Sequence, residues 1–111
     1  MYVNMFKNLT PHAINILDDQ GQEILVVPAS GVIARCSQRE EVLSVIDGIT
    51  VTRQTFGEVQ DLPEPEEGTN YIVSRLVASA LPERRDLLIP GPLVRDDQGQ
   101  PRGCRGLSVV Y

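Results

Sequence analysis

Apolar and polar residues alternate with period two over much of the chain, and this alternation divides it into short segments. Residues 2–6 (YVNMF) and 12–17 (HAINIL) alternate, the second with Ile14 and Ile16 on one face. A period of two is the pattern of a half-buried strand. Between them Asn8-Leu9-Thr10-Pro11 breaks the pattern. Pro11 removes a backbone donor, which suits a turn or a sheet edge. Asp18-Asp19-Gln20-Gly21 predicts a turn in which Asp bonds its own backbone and Gly supplies positive φ. Residues 22–27 (QEILVV) are then the return strand of a β-hairpin.

Further strands are expected over 32–36, 40–46 and 49–55, the last two across a tight Asp47-Gly48 turn. Segment 40–46 also fits a helical turn, but its Val and Ile favour a strand. Residues 57–68 hold Pro63 and Pro65 among five acids (Glu58, Asp61, Glu64, Glu66, Glu67), which predicts a solvated loop. A strand over 71–74 should pass into one short helix, 75–81, stopped by Pro82. Leu76, Ala80 and Leu81 would turn towards the sheet. A strand over 86–89, a rigid Pro90-Gly91-Pro92 kink, a short segment 93–95, a turn at 96–99 and a last strand over 103–110 complete the chain. The strings Asp18 to Gln22 and Asp96 to Gln100 are both DDQGQ. They are read as one turn chemistry used twice, not as a repeat. The expected fold is α+β and mostly β: a small antiparallel twisted sheet or partial barrel of hairpins with one short helix, forming a single domain over residues 1–111.

Composition narrows the function classes. The chain has 111 residues, no Trp and five aromatic residues, so its core must be aliphatic. The net charge is −5, which argues against duplex DNA or RNA as a partner, because phosphate neutralisation supplies most of that affinity. No segment reaches the roughly 20 apolar residues of a membrane helix, and no signal peptide is read at the N-terminus. A cytoplasmic protein is expected. Two widely separated cysteines, Cys36 and Cys104, fit neither a metal spacing nor a disulfide framework.

The charge is uneven. Residues 1–67 carry four basic and eleven acidic groups, a balance of −7; residues 68–111 carry six Arg and four acids, a balance of +2. Arg is the preferred residue for two-pronged recognition of phosphate or carboxylate. Arg85, Arg95 and Arg105 are therefore candidate contacts for the phosphates of an anionic ligand, although surface pairing with nearby carboxylates is the commoner explanation of such arginines. The string NLTPH offers Asn8, Thr10 and His12 as neutral hydrogen-bonding groups, with Ser74 further along. Their other reading is local backbone satisfaction at an irregular turn. Tyr71 and Phe56 are the aromatics that could stack a ring. His12 is the only histidine, which excludes two-histidine phosphoesterase chemistry and histidine zinc clusters within one chain. Walker-type and dinucleotide-type glycine patterns are absent. No metal, cofactor or catalytic residue is assigned.

The strings NLTPHAINI, PASGVIAR, TFGEV, GTNYIVSRLVASA, RRDLLIPGPLVRDDQG and GCRGL together resemble an uncharacterised family of small phage and bacterial proteins. The resemblance covers nearly the whole chain. It has no established activity to transfer, and it points towards sponges that sequester nucleotide-derived immune signals, acting in the host cytoplasm if phage-encoded. Three readings follow. The first is a non-enzymatic binder of a small anionic nucleotide-like ligand, using Asn8, Thr10, His12, Tyr71, Ser74, Arg85, Arg95 and Arg105, with its pocket at a homo-oligomer interface. The second is a structural or protein-interaction accessory protein. The third is a nucleotide-cleaving enzyme.

Overall fold

The structure is a computed structural model that describes residues 5–111. Its strands are β1 (Met5–Asn8), β2 (Ile14–Leu17), β3 (Glu23–Val27), β4 (Arg35–Ile46), β5 (Ile49–Gln60), β6 (Thr69–Ile72), β7 (Leu87–Pro90), β8 (Leu93–Arg95), β9 (Pro101–Arg105) and β10 (Leu107–Ser108). One helix, α1 (Arg75–Ala80), lies between β6 and β7. The α+β, mostly β class holds. The expected strand over 2–6 begins outside the described residues.

Two small sheets form the body. One has the order β1-β6-β7-β10 and the other β3-β2-β9-β8. Both are mixed and neither closes into a barrel, which corrects the antiparallel expectation: β1 pairs parallel with β6, β6 with β7, and β2 with β9. Hairpin alternation predicts neighbours in sequence, whereas a parallel pair needs a crossover. Here the segment β6–α1–β7 supplies one.

The side chains of β6 and the residue after it divide the interior. Tyr71 and Val73 join Leu9, Ala34, Val77, Ala78, Leu87 and Ile89 in a buried cluster that includes the helix. Ile72, between them, points the other way into Ile14, Ile16, Val27 and Cys104 of the second sheet. Alternation thus lets one strand serve two packed layers. The helix is capped by Ser74, whose Oγ accepts from the Val77 amide at 3.3 Å. It buries Val77 and Ala78 rather than the predicted Leu76 and Ala80, while the predicted Leu81 packs against the cluster.

Both DDQGQ turns adopt the same bonding. Asp18 Oδ1 accepts from the amides of Gln20 and Gln22, each at 2.9 Å. Asp96 Oδ1 accepts from those of Gln98 and Gln100, again at 2.9 Å. The β2–β3 hairpin is present as read. Several boundaries move, two of them by enough to change an element. The last strand is broken at Gly106 (φ 64) into β9 and β10, which lie in different sheets. The strand after Asp47-Gly48 runs to Gln60, so residues 57–60, expected in the acidic loop, are strand.

The third unit is the expected pair of strands about the Asp47-Gly48 turn, but longer: β4 runs unbroken through residues 37–39 and joins the end of the expected strand 32–36 to 40–46. Among the described residues β4 and β5 pair only with each other, over twelve residues each. At about 3.4 Å per residue they make an arm about 40 Å long. The radius of gyration is 16.8 Å, against about 13 Å for a compact chain of this length.

Candidate functional site

The arm is rooted on the body by Cys36, Val59 and the following Leu62, which pack against the helix-side cluster. Its end is closed by Asp47 (φ 50) and Gly48 (φ 80), the left-handed pair that a two-residue hairpin turn requires. Direct cross-strand partners share a face. One face of the outer half carries Ile46 opposite Ile49 and Ser44 opposite Val51; the other carries Val45 opposite Thr50 and Val42 opposite Thr52. A bulge at Leu43 interrupts the outer half between the Ser44 and Val42 rungs, and a polar rung, Glu41 opposite Arg53, bridged at 2.9 Å, bounds it on the inner side. Val42, Leu43, Val45, Ile46 and Ile49 are 51–68% exposed. Both faces of the arm are therefore apolar and uncovered, and residues 42–52 contain one charge, Asp47.

A cleft of about 250 Å³ lies where the inner half of the arm meets the helix, lined by Gln38, Gln54, Phe56, Arg75, Leu76 and Ser79. Gln38 stands opposite Phe56, and its side-chain Nε2 donates to Oε1 of Gln54. Phe56 is partly exposed. Among the described residues Arg75 is in neither of the ion pairs, which join Arg53 to Glu41 and Arg84 to Asp86. Two further clefts bear on the candidate residues. One, of about 340 Å³, is lined by Ala13, Asn15, Arg102 and Gly103 among others, but Arg102 donates to the Gly21 carbonyl at 3.0 Å. The other, of about 400 Å³, sets Arg35 beside Asp61.

None of the eight residues singled out in the sequence lines these three clefts. Asn8 is 1% exposed. Its Nδ2 donates to the carbonyls of His12 (2.7 Å) and Val27 (3.1 Å), and its Oδ1 accepts from the amide and hydroxyl of Thr10 (2.9 and 2.6 Å). The NLTPH string is thus a self-satisfied turn that joins the two sheets. His12 contributes its carbonyl, and its imidazole is on the surface. Tyr71 is buried and donates to the Glu64 carbonyl at 3.3 Å. Burial pushes its phenol pKa up, and the carboxylates of Glu66 and Asp86 push the same way against Arg84. Ser74 caps the helix.

The three arginines are exposed and engaged separately. Arg85 lies over the Tyr111 ring, 4.0 Å from its centroid. Arg95 donates to the Gly99 carbonyl at 2.8 Å, bracing its own turn. Arg105 is a strand residue whose amide donates to the Pro92 carbonyl. No protein-family model matches the chain. No curated protein and no solved structure matches it either.

The sequence carried partial signals for what it missed. Phe56 was visible as an aromatic, and Arg75 as a member of the arginine-rich segment. Counting back from the Asp47-Gly48 turn in simple register sets Arg39, not Gln38, opposite Phe56; the bulge at Leu43 shifts the rungs from Val42 to Gln38 by one, and a second irregularity between Gln38 and Cys36 restores the register. No helix is long and apolar enough to cross a membrane among the described residues. Nor do they hold a group of three or more His, Cys, Asp or Glu side chains able to share a metal ion.

Proposed function

We propose that this chain is a binding module that acts by assembly rather than catalysis, and that its arm docks on a second copy of itself. The observation that carries this is the arm's outer half, where five aliphatic side chains stand more than half exposed on a hairpin that no other described residues cover. An isolated two-stranded hairpin is marginal in water, and contiguous apolar surface of this kind marks an interaction site.

Three features favour a copy of the same chain as the occupant. Two molecules of net charge −5 repel, so contact must run through a nearly uncharged segment, and residues 42–52 are one. The body also carries an open sheet edge, β3, whose Ile24, Leu25 and Val26 are exposed and which can accept a strand. Burying the five arm side chains contributes roughly 5–9 kcal/mol per arm. Association costs about 4–15 kcal/mol, so one arm is marginal while the two arms of a two-fold dimer, at about 10–18 kcal/mol, outweigh that cost over most of its range.

Light scattering on the purified protein tests this. Mass above the 12.2 kDa of one chain at micromolar concentration is expected. Val45→Lys and Ile49→Lys, one on each arm face, should return it to monomer with the thermal midpoint of the body retained. A wild-type protein that stays monomeric at high concentration, or an oligomer indifferent to both changes, sinks the proposal. A role in holding a small ligand would draw on residues other than Asn8, Thr10, Tyr71 and Ser74, since these are committed to the chain's own backbone.

A further inference from the structure

The cleft between the root of the arm and α1 combines features the other two clefts lack. It has an aromatic platform in Phe56, a cation in Arg75 that no carboxylate among its lining residues faces, two amides in Gln38 and Gln54, a hydroxyl in Ser79 and an apolar floor in Leu76. Arg102 in the cleft on the second sheet is tied to a backbone carbonyl, and Arg35 in the third shares its wall with Asp61. In a chain of net charge −5 a concave site lined by one cation and no acid is a departure from the average surface.

We infer that this cleft binds a small molecule carrying one flat ring and one anionic group, the chemistry of a nucleoside monophosphate. The ring would stack on Phe56, since an aromatic face holds a planar ring whatever its edge pattern. The guanidinium of Arg75 would take the anion with its two-pronged donor geometry. Gln38 and Gln54 bond each other through one N–H and one carbonyl lone pair, which leaves each amide with groups to meet the ring's edge. The volume of about 250 Å³ suits one ring-bearing molecule and no longer chain. Glu40 stands opposite Gln54, one rung outward on the same face. Its carboxylate repels a second anionic group there, which selects one charge over an extended polyanion. The site lies inward of the arm's apolar half and is independent of the assembly proposed above.

Titration with the four nucleoside 5′-monophosphates, followed by amide chemical shifts, is the test. At least one should saturate, with shifts concentrated at Gln38, Gln54, Phe56, Arg75 and Ser79. The matching nucleoside, without phosphate, should bind about tenfold or more weakly, as should inorganic phosphate alone. Phe56→Ala and Arg75→Gln, both at exposed positions, should each weaken binding about tenfold or more while the oligomeric state is kept. No saturation by any of the four below about 5 mM overturns the inference. So does binding that both variants leave unchanged, or phosphate alone binding as well as the nucleotide.

Discussion

Arg84 holds Asp86 by two parallel hydrogen bonds, Nε to Oδ1 at 2.9 Å and Nη2 to Oδ2 at 2.8 Å. Both side chains are mostly buried, at 17% and 16% exposure. The same Nη2 donates to the Pro63 carbonyl at 3.0 Å. Together with the Tyr71 hydroxyl on Glu64, this pair fastens the acidic, proline-containing loop 61–68 to the body. Composition predicts a solvated loop there. Its acids are solvated, but its backbone is tied at two points.

The pair sets a pH dependence. Its hydrogen bond to Arg84 holds the Asp86 carboxyl below the ordinary aspartate value of 3.8, partly opposed by burial. A carboxylate whose folded pKa is lowered contributes stability above its unfolded pKa and loses it as pH falls through the folded value. Asp86→Asn should therefore cost about 1–3 kcal/mol at neutral pH. The gap to wild type should narrow below about pH 4. Urea unfolding at about pH 7 and about pH 3 checks both; a gap that is constant with pH contradicts the assignment.

Asn8 gives a second prediction. Its side chain satisfies two carbonyls and one amide in the crossing between the sheets, and buried partners left unpaired are expensive. Asn8→Ala should lower stability by about 2–4 kcal/mol, and Asn8→Asp should fail to rescue it, because a carboxylate cannot donate to His12 and Val27. Thermal unfolding of both variants decides. A neutral Asn8→Ala would show that these bonds are not maintained in solution.

The features legible in the chain were its local ones. The DDQGQ turns, the β2–β3 hairpin, the Asp47-Gly48 turn and the helix ending before Pro82 depend on residues a few positions apart, and each formed. Parallel pairing of Lys7 with Tyr71 and of Ile16 with Cys104 joins segments too distant for periodicity to link. The arm's exposure escapes a sequence reading for another reason. Its alternation states that Val45 and Ile49 are apolar, but not that the body leaves both faces uncovered. Among the candidate site residues, type alone favoured Arg and Asn, whereas their roles came from which backbone groups lay within reach.

Gly103 illustrates such a distant constraint. Its φ is 153°, a region that side-chain-bearing residues rarely adopt. A Cβ there would collide with the Asn15 carbonyl, where β9 lies against β2. Gly103→Ala should destabilise the protein by about 1–3 kcal/mol through this overlap. It should also loosen the Cys104 thiol, buried in the second cluster, towards faster alkylation. Unfolding curves and thiol-reagent kinetics measure the two effects. Unchanged kinetics would mean that β9 shifts as a unit and keeps its cover.

Gly48 tests the arm separately from the body. Its φ is 80°, and nothing lies within 4 Å of where a Cβ would sit, so Gly48→Ala meets backbone strain and no steric clash. The strain costs about 1 kcal/mol, and it falls on a hairpin that pairs with no other strand of the described residues. The body should therefore unfold at an unchanged midpoint, while hydrogen exchange quickens for the amides of residues 42–53. If the arms are buried between two copies, that quickening should be larger in dilute protein than in concentrated protein, because association protects the arm by mass action. Exchange rates measured at two protein concentrations distinguish the cases. An arm equally protected at both would be stable by itself, and the apolar side chains at its end would then have no need of a partner.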